Sequence, residues 1–206
     1  MKKICIIGSS GLAKETYWLL QEAGLENSIE CFMEPDEYWQ EKEIFGVRVI
    51  KQSEFDASKH KAVVGIGDST IREKVVKFQL PPDTEYPTII HPNVRISKWV
   101  ELGKGVIICA GNIITCDIKI GDFAFINLAC TIGHDCIIGD YLTMNPGVNL
   151  SGICNLGNHV SIGTNAAVRQ GVLICDNVVI GMGSNVVKNI KESGTYVGSP
   201  AKLLIK

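Results

Sequence analysis

A repeat of six residues runs through the second half of the chain and constrains the fold more than any other feature. Every sixth residue from Ile90 to Val186 is aliphatic or methionine. Neither the 3.6-residue period of a helix nor the two-residue alternation of a strand requires such spacing. Hexapeptide repeats are typical of parallel β-helices. The pattern therefore predicts an all-β parallel β-helix over residues 85–190.

Three hexads make one triangular coil, so residues 18 apart are expected to stack in columns. The three predicted columns are Ile90, Ile108, Ile126, Met144, Ile162 and Ile180; Ile96, Ile114, Ile132, Leu150, Val168 and Val186; and Leu102, Ile120, Ile138, Leu156 and Ile174. Several repeat residues are followed directly by glycine, namely at Gly103, Gly121, Gly133, Gly139, Gly157, Gly163 and Gly181. We expect these glycines to supply the permissive backbone of the corners.

The first 84 residues follow the alternating pattern of an α/β domain. Short apolar runs predict strands at residues 3–7, 29–33, 47–50 and 62–66. Apolar residues at helical spacing predict one helix that stops near Gly24 and another that begins with a capping box at Thr70. The second helix is expected to present Ile71, Val75 and Phe78 on one face. The pattern predicts a Rossmann-like domain over residues 1–84, with a C-terminal tail at 191–206.

Composition excludes several classes of function. The net charge is −2, which does not favour nucleic acid or an anionic membrane as a partner. No apolar run is long enough for membrane insertion, and the first residues do not form a signal peptide, so we expect a cytoplasmic protein. The eight cysteines include no C-x-x-C pair, and Cys130, Cys136 and Cys154 occupy small core positions of the repeat. No metal site is therefore expected.

Four motifs in a fixed order resemble one family. They are Gly8-x-x-Gly11, Ile89-Ile90-His91-Pro92, Gly133-His134-Asp135 within the repeat, and Gly198-Ser199-Pro200-Ala201-Lys202. Together they resemble the bacterial sialic acid O-acetyltransferase and nucleotide-amino-sugar N-acetyltransferase family. The resemblance spans essentially the whole chain. It implies a left-handed β-helix, acetyl-CoA as co-substrate, a nucleotide-sugar or sugar as acceptor, and a homotrimer with sites between subunits.

The pair His134-Asp135 is the candidate catalytic centre. His134 lies two residues after Ile132, so its side chain is expected to point outward near a corner. A neutral imidazole there can accept a proton from an amine or hydroxyl, and Asp135 can orient it. Spacing alone leaves open an inert surface pair, and the resemblance favours catalysis. His159 and His60 are expected to be solvated.

The turn from Gly8 to Gly11 leads from a strand into a helix, where backbone amides suit phosphate. It lacks the G-x-G-x-x-G spacing, so NAD is not indicated. The resemblance implies that Gly8, Ser10, Gly11 and Leu12 hold the phosphates of a nucleotide-sugar. Leu12 stands where many relatives carry His.

The resemblance assigns further residues to each ligand. It places Glu34 and Gly67 near the nucleoside, and Asn127 near His134 or the substrate. A corner asparagine that tolerates a left-handed backbone is the alternative for Asn127. For CoA, it implies Thr143, Gly152, Thr164, Met182 and Lys202. The Gly152 N–H would polarise the thioester carbonyl.

The leading hypothesis is acetyl transfer from acetyl-CoA to the amine of a nucleotide-linked amino-sugar, of the UDP-4-amino-4,6-dideoxy type, with His134 as general base. An alternative within the class is O-acetylation of sialic acid or another surface-polysaccharide sugar. An alternative of another class is a non-catalytic trimeric scaffold. A metal enzyme of the γ-carbonic anhydrase type is disfavoured, because the repeat contains too few histidines well inside it.

Overall fold

The computed structural model describes residues 2–205, which divide into two compact units between His91 and Pro92. The first unit is α/β and the second is a parallel β-solenoid. Both parts of the predicted fold class are confirmed. Neither α-helix in residues 2–205 combines the length and apolar character that a membrane span requires.

The first unit is built on a five-stranded sheet. Its strands are β1 (Lys3–Ile7), β2 (Ile29–Glu34), β3 (Glu43–Ile44), β4 (Val47–Lys51) and β5 (His60–Val64). The sheet order is β3-β4-β2-β1-β5, with only β3 antiparallel to its neighbour. Because the chain crosses from one side of β1 to the other, the switch point of the sheet lies between β1 and β5. Ligands of such folds bind at the carboxyl ends of the strands beside this point.

Helices connect these strands. Helix α1 covers Gly11–Glu22 and helix α2 covers Ser69–Lys74, with a π-helical turn at Val75–Gln79. Short 3₁₀ turns occupy Glu26–Ser28 and Gln52–Glu54, and a two-residue strand, Ile89–Ile90, lies near the end of the unit.

Three details of the first unit differ from the sequence expectations. Asp68, not Thr70, caps α2, because its carboxylate accepts from the N–H groups of Thr70 and Ile71 at 2.9 Å. The expected apolar face is incomplete, since Val75 is buried but Phe78 is 78% exposed. His60 is not solvated. It is buried on β5.

The second unit stacks its strands into three parallel sheets, with a register of 18 residues up to Asn185–Val186. The later strand Gly194–Val197 pairs with Val178–Ile180 at a register of 16 residues. One sheet contains Arg95–Ile96, Ile113–Ile114, Thr131–Ile132, Asn149–Leu150, Ala167–Val168 and Asn185–Val186. A second contains Val100–Leu102, Ile118–Ile120, Ile137–Ile138, Asn155–Leu156 and Leu173–Ile174. The third contains Ile107–Ile108, Phe125–Ile126, Thr143–Met144, Ser161–Ile162, Val178–Ile180, Gly194–Val197 and the antiparallel Lys202–Leu203. This register confirms the predicted stacking.

The interior of the prism is filled by the repeat residues and by small side chains two positions before them. Ile132, Ile138 and the residues stacked on them from Ile114 and Ile120 onward are buried, as are Cys130, Cys136 and Cys154. Ile96 and Leu102, in the first coil, are partly exposed. The cysteines therefore serve as small core residues, as predicted. Their thiols contact backbone carbonyls of the coils, which satisfies weak donors in an apolar interior.

The corners are made differently from the prediction. The left-handed residues lie three positions after the repeat residue, and most are not glycine: Asp117, Phe123, Ala129, Asp135, Tyr141, Ile153, His159, Asn165 and Asn177 all have φ between 55° and 60°. The glycines that directly follow repeat residues do not have positive φ. They are required instead by close packing between coils. At Gly121, for example, a Cβ would lie 2.7 Å from the backbone carbon of Gly139 in the next coil.

One corner carries a ladder of carboxylates and amides between coils, which we call the acidic ladder: Asp122, Asp140, Asn158 and Asp176. Each side chain accepts a hydrogen bond from the backbone N–H of the residue 18 positions earlier, at 2.8 to 3.0 Å. These bonds satisfy corner N–H groups that point away from the strands.

The rings of Phe123, Tyr141 and His159 stack beside the acidic ladder, with centroids 5.4 and 5.0 Å apart. His159 is therefore a half-buried member of an aromatic stack and not a solvated turn residue.

Candidate functional site

The pair His134-Asp135 forms the expected dyad at a corner of the prism. The strand Thr131–Ile132 ends just before it, and both side chains are at least half exposed. His134 Nδ1 lies 2.6 Å from Asp135 Oδ2. An ionised carboxylate can only accept, so Nδ1–H donates and Nε2 keeps its lone pair. The dyad thus presents a basic nitrogen to solvent.

The backbone fixes the direction of the Asp135 side chain. Asp135 adopts a left-handed conformation, with φ of 57°, and its N–H donates to the carbonyl of Cys116 in the previous coil at 3.1 Å. Aspartate is among the residues that visit this conformation most readily. The constraint directs the carboxylate back to the imidazole of the preceding residue.

Gly152 forms the floor under the His134 ring. It lies one coil further along, and the N–H of the next residue, Ile153, donates to the His134 carbonyl at 2.7 Å. A Cβ on Gly152 would lie 2.8 Å from His134 Nε2 and 2.9 Å from Cε1. The imidazole therefore packs flat against a position where no side chain fits.

Backbone N–H groups are available at three residues that the resemblance assigns to CoA. Within residues 2–205, the N–H groups of Gly152, Thr164 and Met182 have no hydrogen-bond acceptor. Gly152 is buried, and Thr164 and Met182 stack one coil apart at another corner. Buried N–H groups are rarely left unpaired, so the Gly152 N–H is suited to a ligand carbonyl.

Two thiols pack directly under the dyad. Cys136 Sγ contacts the carbonyls of His134 and Ser151, and Cys154 Sγ contacts the carbonyl of Gly152. A hydrogen bond from Cys136 lowers the pKa of Cys154 to about 7, and the same bond raises the pKa of Cys136. These contacts connect the coil of His134 to that of Gly152.

The other residues assigned to His134 or CoA lie elsewhere on the prism. Thr143 is buried on a different face from the strand that precedes His134. Lys202 is exposed on the final antiparallel strand. Asn127 is buried without a left-handed backbone, which corrects the alternative for this residue. Its Oδ1 accepts from the N–H of Leu128 at 2.7 Å.

A cavity of about 360 Å³ opens in the first unit at the carboxyl ends of β1 and β2. Ile7, Gly8, Met33 and Ile66 form its floor, and Tyr38 stands at its rim with most of its ring exposed. Its remaining lining residues are Pro35, Glu37, Gln52, Ile71, Lys74, Val75 and Gln79. The cavity is beside the switch point of the sheet, where nucleotides bind in folds of this kind.

The glycine turn has the geometry expected next to this cavity. Gly8 has φ of 105°, which a side chain disfavours, and Ser10 precedes the first residue of α1. Nothing crowds Gly11. Leu12 packs toward Gly67, since a Cβ there would lie 3.4 Å from Leu12 Cδ2. The turn thus brings together four of the residues predicted for the substrate, with Gly67 beside them.

Glu34 was predicted to lie near the nucleoside, but the roles of Ser9, Lys42 and Arg72 were not predicted. Glu34 is buried at the end of β2, where Ser9 Oγ donates to its Oε1 and Lys42 Nζ lies 2.6 Å from the same oxygen. Arg72 is also buried, and its Nη1 donates to the carbonyls of Ile66 at 2.7 Å and Gly67 at 3.1 Å. Arg72 therefore shapes the loop after β5.

Comparison with known proteins agrees with this geometry. The PglD N-terminal domain family matches residues 3–78. WeeI from Acinetobacter baumannii AYE is 30% identical, with a TM-score of 0.90, over 99% of this chain and 100% of that protein. The chain belongs to the PglD-like family of bacterial sugar acetyltransferases.

Other members of the PglD-like family have been solved with ligands. A mutant of perosamine N-acetyltransferase from Caulobacter crescentus, in complex with CoA and GDP-perosamine, is 27% identical with a TM-score of 0.91, covering 100% of this chain and 98% of that chain. The acetyltransferase domain of PglB from Neisseria gonorrhoeae FA1090, in complex with acetyl coenzyme A, is 25% identical with a TM-score of 0.81, over 98% and 99% of the two chains. The family resemblance seen in the motifs is confirmed, and with it the left-handed β-helix.

Among residues 2–205, no group of three or more His, Cys, Asp or Glu side chains is arranged to hold a metal ion.

Proposed function

We propose that this protein transfers the acetyl group of acetyl-CoA to the amine of a nucleotide-linked amino-sugar, with His134 as general base. The observation that carries this proposal is the His134 ring, whose Nδ1 lies 2.6 Å from Asp135 Oδ2 and which packs against Gly152, a residue whose N–H has no acceptor among residues 2–205. A base and an oxyanion donor at one corner are the two groups that direct acyl transfer needs.

The proposed reaction is a direct transfer within a ternary complex. The sugar amine attacks the thioester carbonyl while His134 Nε2 removes its proton. The developing oxyanion accepts a hydrogen bond from the Gly152 N–H, and Asp135 stabilises the imidazolium. Collapse of the tetrahedral intermediate breaks the carbon–sulfur bond and releases CoA, whose thiolate takes up the proton. The amide product carries the acetyl group.

The first unit is proposed to bind the nucleotide. Its cavity is large enough for a nucleoside, and the turn from Gly8 to Gly11 offers amides at the start of α1 for the phosphates. A relative that covers this chain along its whole length binds GDP-perosamine, which is a nucleotide-linked amino-sugar. We extend this substrate class to the present protein, including the UDP-4-amino-4,6-dideoxy type.

CoA is proposed to bind along the prism corners that carry Gly152, Thr164 and Met182, with Thr143 and Lys202 as further candidate contacts. The acetyl coenzyme A complex of the PglB domain supports this co-substrate. We also propose that the protein is a homotrimer and works in the cytoplasm. The free state of all eight cysteines agrees with a reducing compartment.

The proposal is tested by following CoA release with acetyl-CoA and a panel of UDP- and GDP-linked amino-sugars. Wild-type protein is expected to acetylate at least one amine. His134→Asn should lower kcat by about 100-fold or more, because general-base catalysis contributes that much. Binding of acetyl-CoA, measured by calorimetry, should persist in the variant.

The same assay separates the alternatives. A sialic acid acceptor in the panel detects O-acetylation. Absence of acetyl-CoA binding by the wild-type protein would favour the scaffold hypothesis, and full turnover by His134→Asn would exclude His134 as the base.

A further inference from the structure

A second groove lies on the corner that carries the dyad, toward the first coil of the solenoid. It has a volume of about 350 Å³ and is lined by Lys98, Trp99, Glu101, Asp117, Ile118 and Lys119. We call these six residues the corner groove. Asp117 occupies the same position of the repeat as Asp135, exactly one coil earlier. Neighbouring coils are separated by about 4.8 Å, so the groove begins next to the dyad.

The indole of Trp99 is an exposed platform in this groove. Its side chain is 61% exposed, and Lys98 Nζ lies 4.7 Å from the ring centroid. The backbone also differs here, because Trp99 does not adopt the left-handed conformation of Asp117 and Asp135. The backbone N–H of Trp99 donates to Ser97 Oγ at 3.3 Å. A large aromatic ring at the surface beside polar groups can stack on the flat face of a ligand whose polar edge remains in water.

The charges of the corner groove are not all paired. Lys119 Nζ forms an ion pair with Glu101 at 3.2 Å. Asp117 is exposed, and no Lys, Arg or His nitrogen within residues 2–205 lies close enough to pair with it. With Asp135 one coil away, the corner presents two carboxylates on the path to His134 Nε2. Lys98 and Lys119 balance Glu101 and Asp117 over the whole groove, but Asp117 is one coil nearer the dyad than Lys98, so an ammonium group is attracted to the end of the groove beside Asp135.

The position of the groove indicates which of the two substrates, acetyl-CoA or the acceptor sugar, would occupy it. The residues proposed for CoA on the prism, such as Gly152, Thr164 and Met182, are in coils after His134. The corner groove is in coils before it. The ligand of the groove is therefore on the acceptor side of the dyad.

We propose that the corner groove is the acceptor subsite for an amino-pyranose, with Trp99 stacking on the sugar ring and Asp117 binding the ammonium group. The ammonium releases one proton to solvent, and the neutral amine then passes a second proton to His134 as it attacks the thioester. This inference rests on the proposed function and narrows it, because it favours a cationic amino-sugar over an anionic sialic acid.

Steady-state kinetics test the subsite with matched variants. Trp99→Ala should raise the KM for the amino-sugar nucleotide roughly three- to tenfold, while Trp99→Phe keeps a ring and should stay near wild type. Asp117→Asn should raise the same KM about threefold or more, and Glu101→Gln, whose carboxylate is already paired, should have a smaller effect. The KM for acetyl-CoA should not change in any variant.

Unchanged acceptor KM values in Trp99→Ala and Asp117→Asn would overturn the subsite while leaving the proposed function intact. A loss of the oligomer in these variants, measured by light scattering, would also overturn it, because the groove would then be a subunit contact.

A binding experiment tests the corner groove as a sugar subsite even if no acceptor in the panel is turned over. The methyl glycoside of a 4-amino-4,6-dideoxy-pyranose is titrated while tryptophan fluorescence is recorded. Saturable quenching that disappears in Trp99→Phe supports the subsite. Absence of saturable quenching, or quenching that persists in Trp99→Phe, refutes it.

Discussion

Replacement of Gly152 by alanine is expected to displace the His134 ring while leaving the stability of the fold nearly unchanged. The new Cβ would lie 2.8 to 3.0 Å from Nε2, Cε1 and Cδ2 of the imidazole, whereas ordinary contacts begin at 3.4 Å. The ring must therefore move by about 0.5 Å or more. Because His134 is half exposed, it can swing outward at little cost in stability. The movement disturbs the 2.6 Å bond to Asp135.

The expected effect on catalysis is large. A displacement of about 1 Å at a reacting group costs on the order of 100-fold in rate, so kcat should fall roughly 10- to 100-fold. This range corresponds to about 1.4 to 2.7 kcal/mol of activation free energy. Alanine retains the backbone N–H, so the loss would report on the ring and not on the oxyanion donor.

The assay is CoA release under saturating substrates, together with thermal unfolding. Gly171→Ala is the matched control on the same corner, because Gly171 has φ of 74° and no atom would contact its Cβ. It should lose about 1 kcal/mol of stability through backbone strain and keep its kcat. Gly152→Ala should lose kcat and keep a stability close to that of the wild type. Wild-type kcat in Gly152→Ala would refute the packing argument, and equal loss of kcat in both variants would attribute the effect to general destabilisation.

Two further variants test the packing between coils of the solenoid and the nucleotide cavity of the first unit. Gly139→Ala places a Cβ 2.7 Å from the backbone of the next coil, so it should lower the free energy of unfolding by about 1–3 kcal/mol, seen as a lower Tm, with unchanged KM values. A wild-type Tm would contradict the close-packing account of that glycine. Lys42→Met removes the ammonium beside buried Glu34 and should raise the KM for the nucleotide-sugar without affecting acetyl-CoA. A change confined to acetyl-CoA would contradict this placement of the nucleotide.

The fold was predictable because its signal is periodic. A six-residue period already contains the 18-residue register that pairs Ile114 with Ile96 and Ile132. The role of the glycines was not predictable, since it depends on which atoms of the next coil approach each Cα. Asp140 Oδ1, for example, occupies the space where a Cβ on Gly121 would project. Sequence position alone does not reveal that distance.

The candidate site was predictable in part. His134 and Asp135 stood out because they interrupt a regular pattern, and the family motif gave them a role. The environment of Glu34 was not predictable, because Ser9 and Lys42 reach it from separate segments of the chain. Trp99 also carried no motif. Its significance depends on the groove formed by two adjacent coils.

The corner proposed for catalysis differs from the acidic ladder in its hydrogen bonding. Along the acidic ladder, each corner N–H is bonded to a side chain of the next coil, and that corner is closed to ligands. At the His134 corner, the residue 18 positions later is Gly152, which has no side chain to accept such a bond. The same absence makes room for the imidazole and leaves the His134 N–H without an acceptor among residues 2–205. The Gly152 N–H also has none there, because Gln170, 18 positions later, does not accept from it. A glycine at the position where the acidic ladder carries aspartate thus leaves room for the His134 ring, on which the proposed chemistry depends.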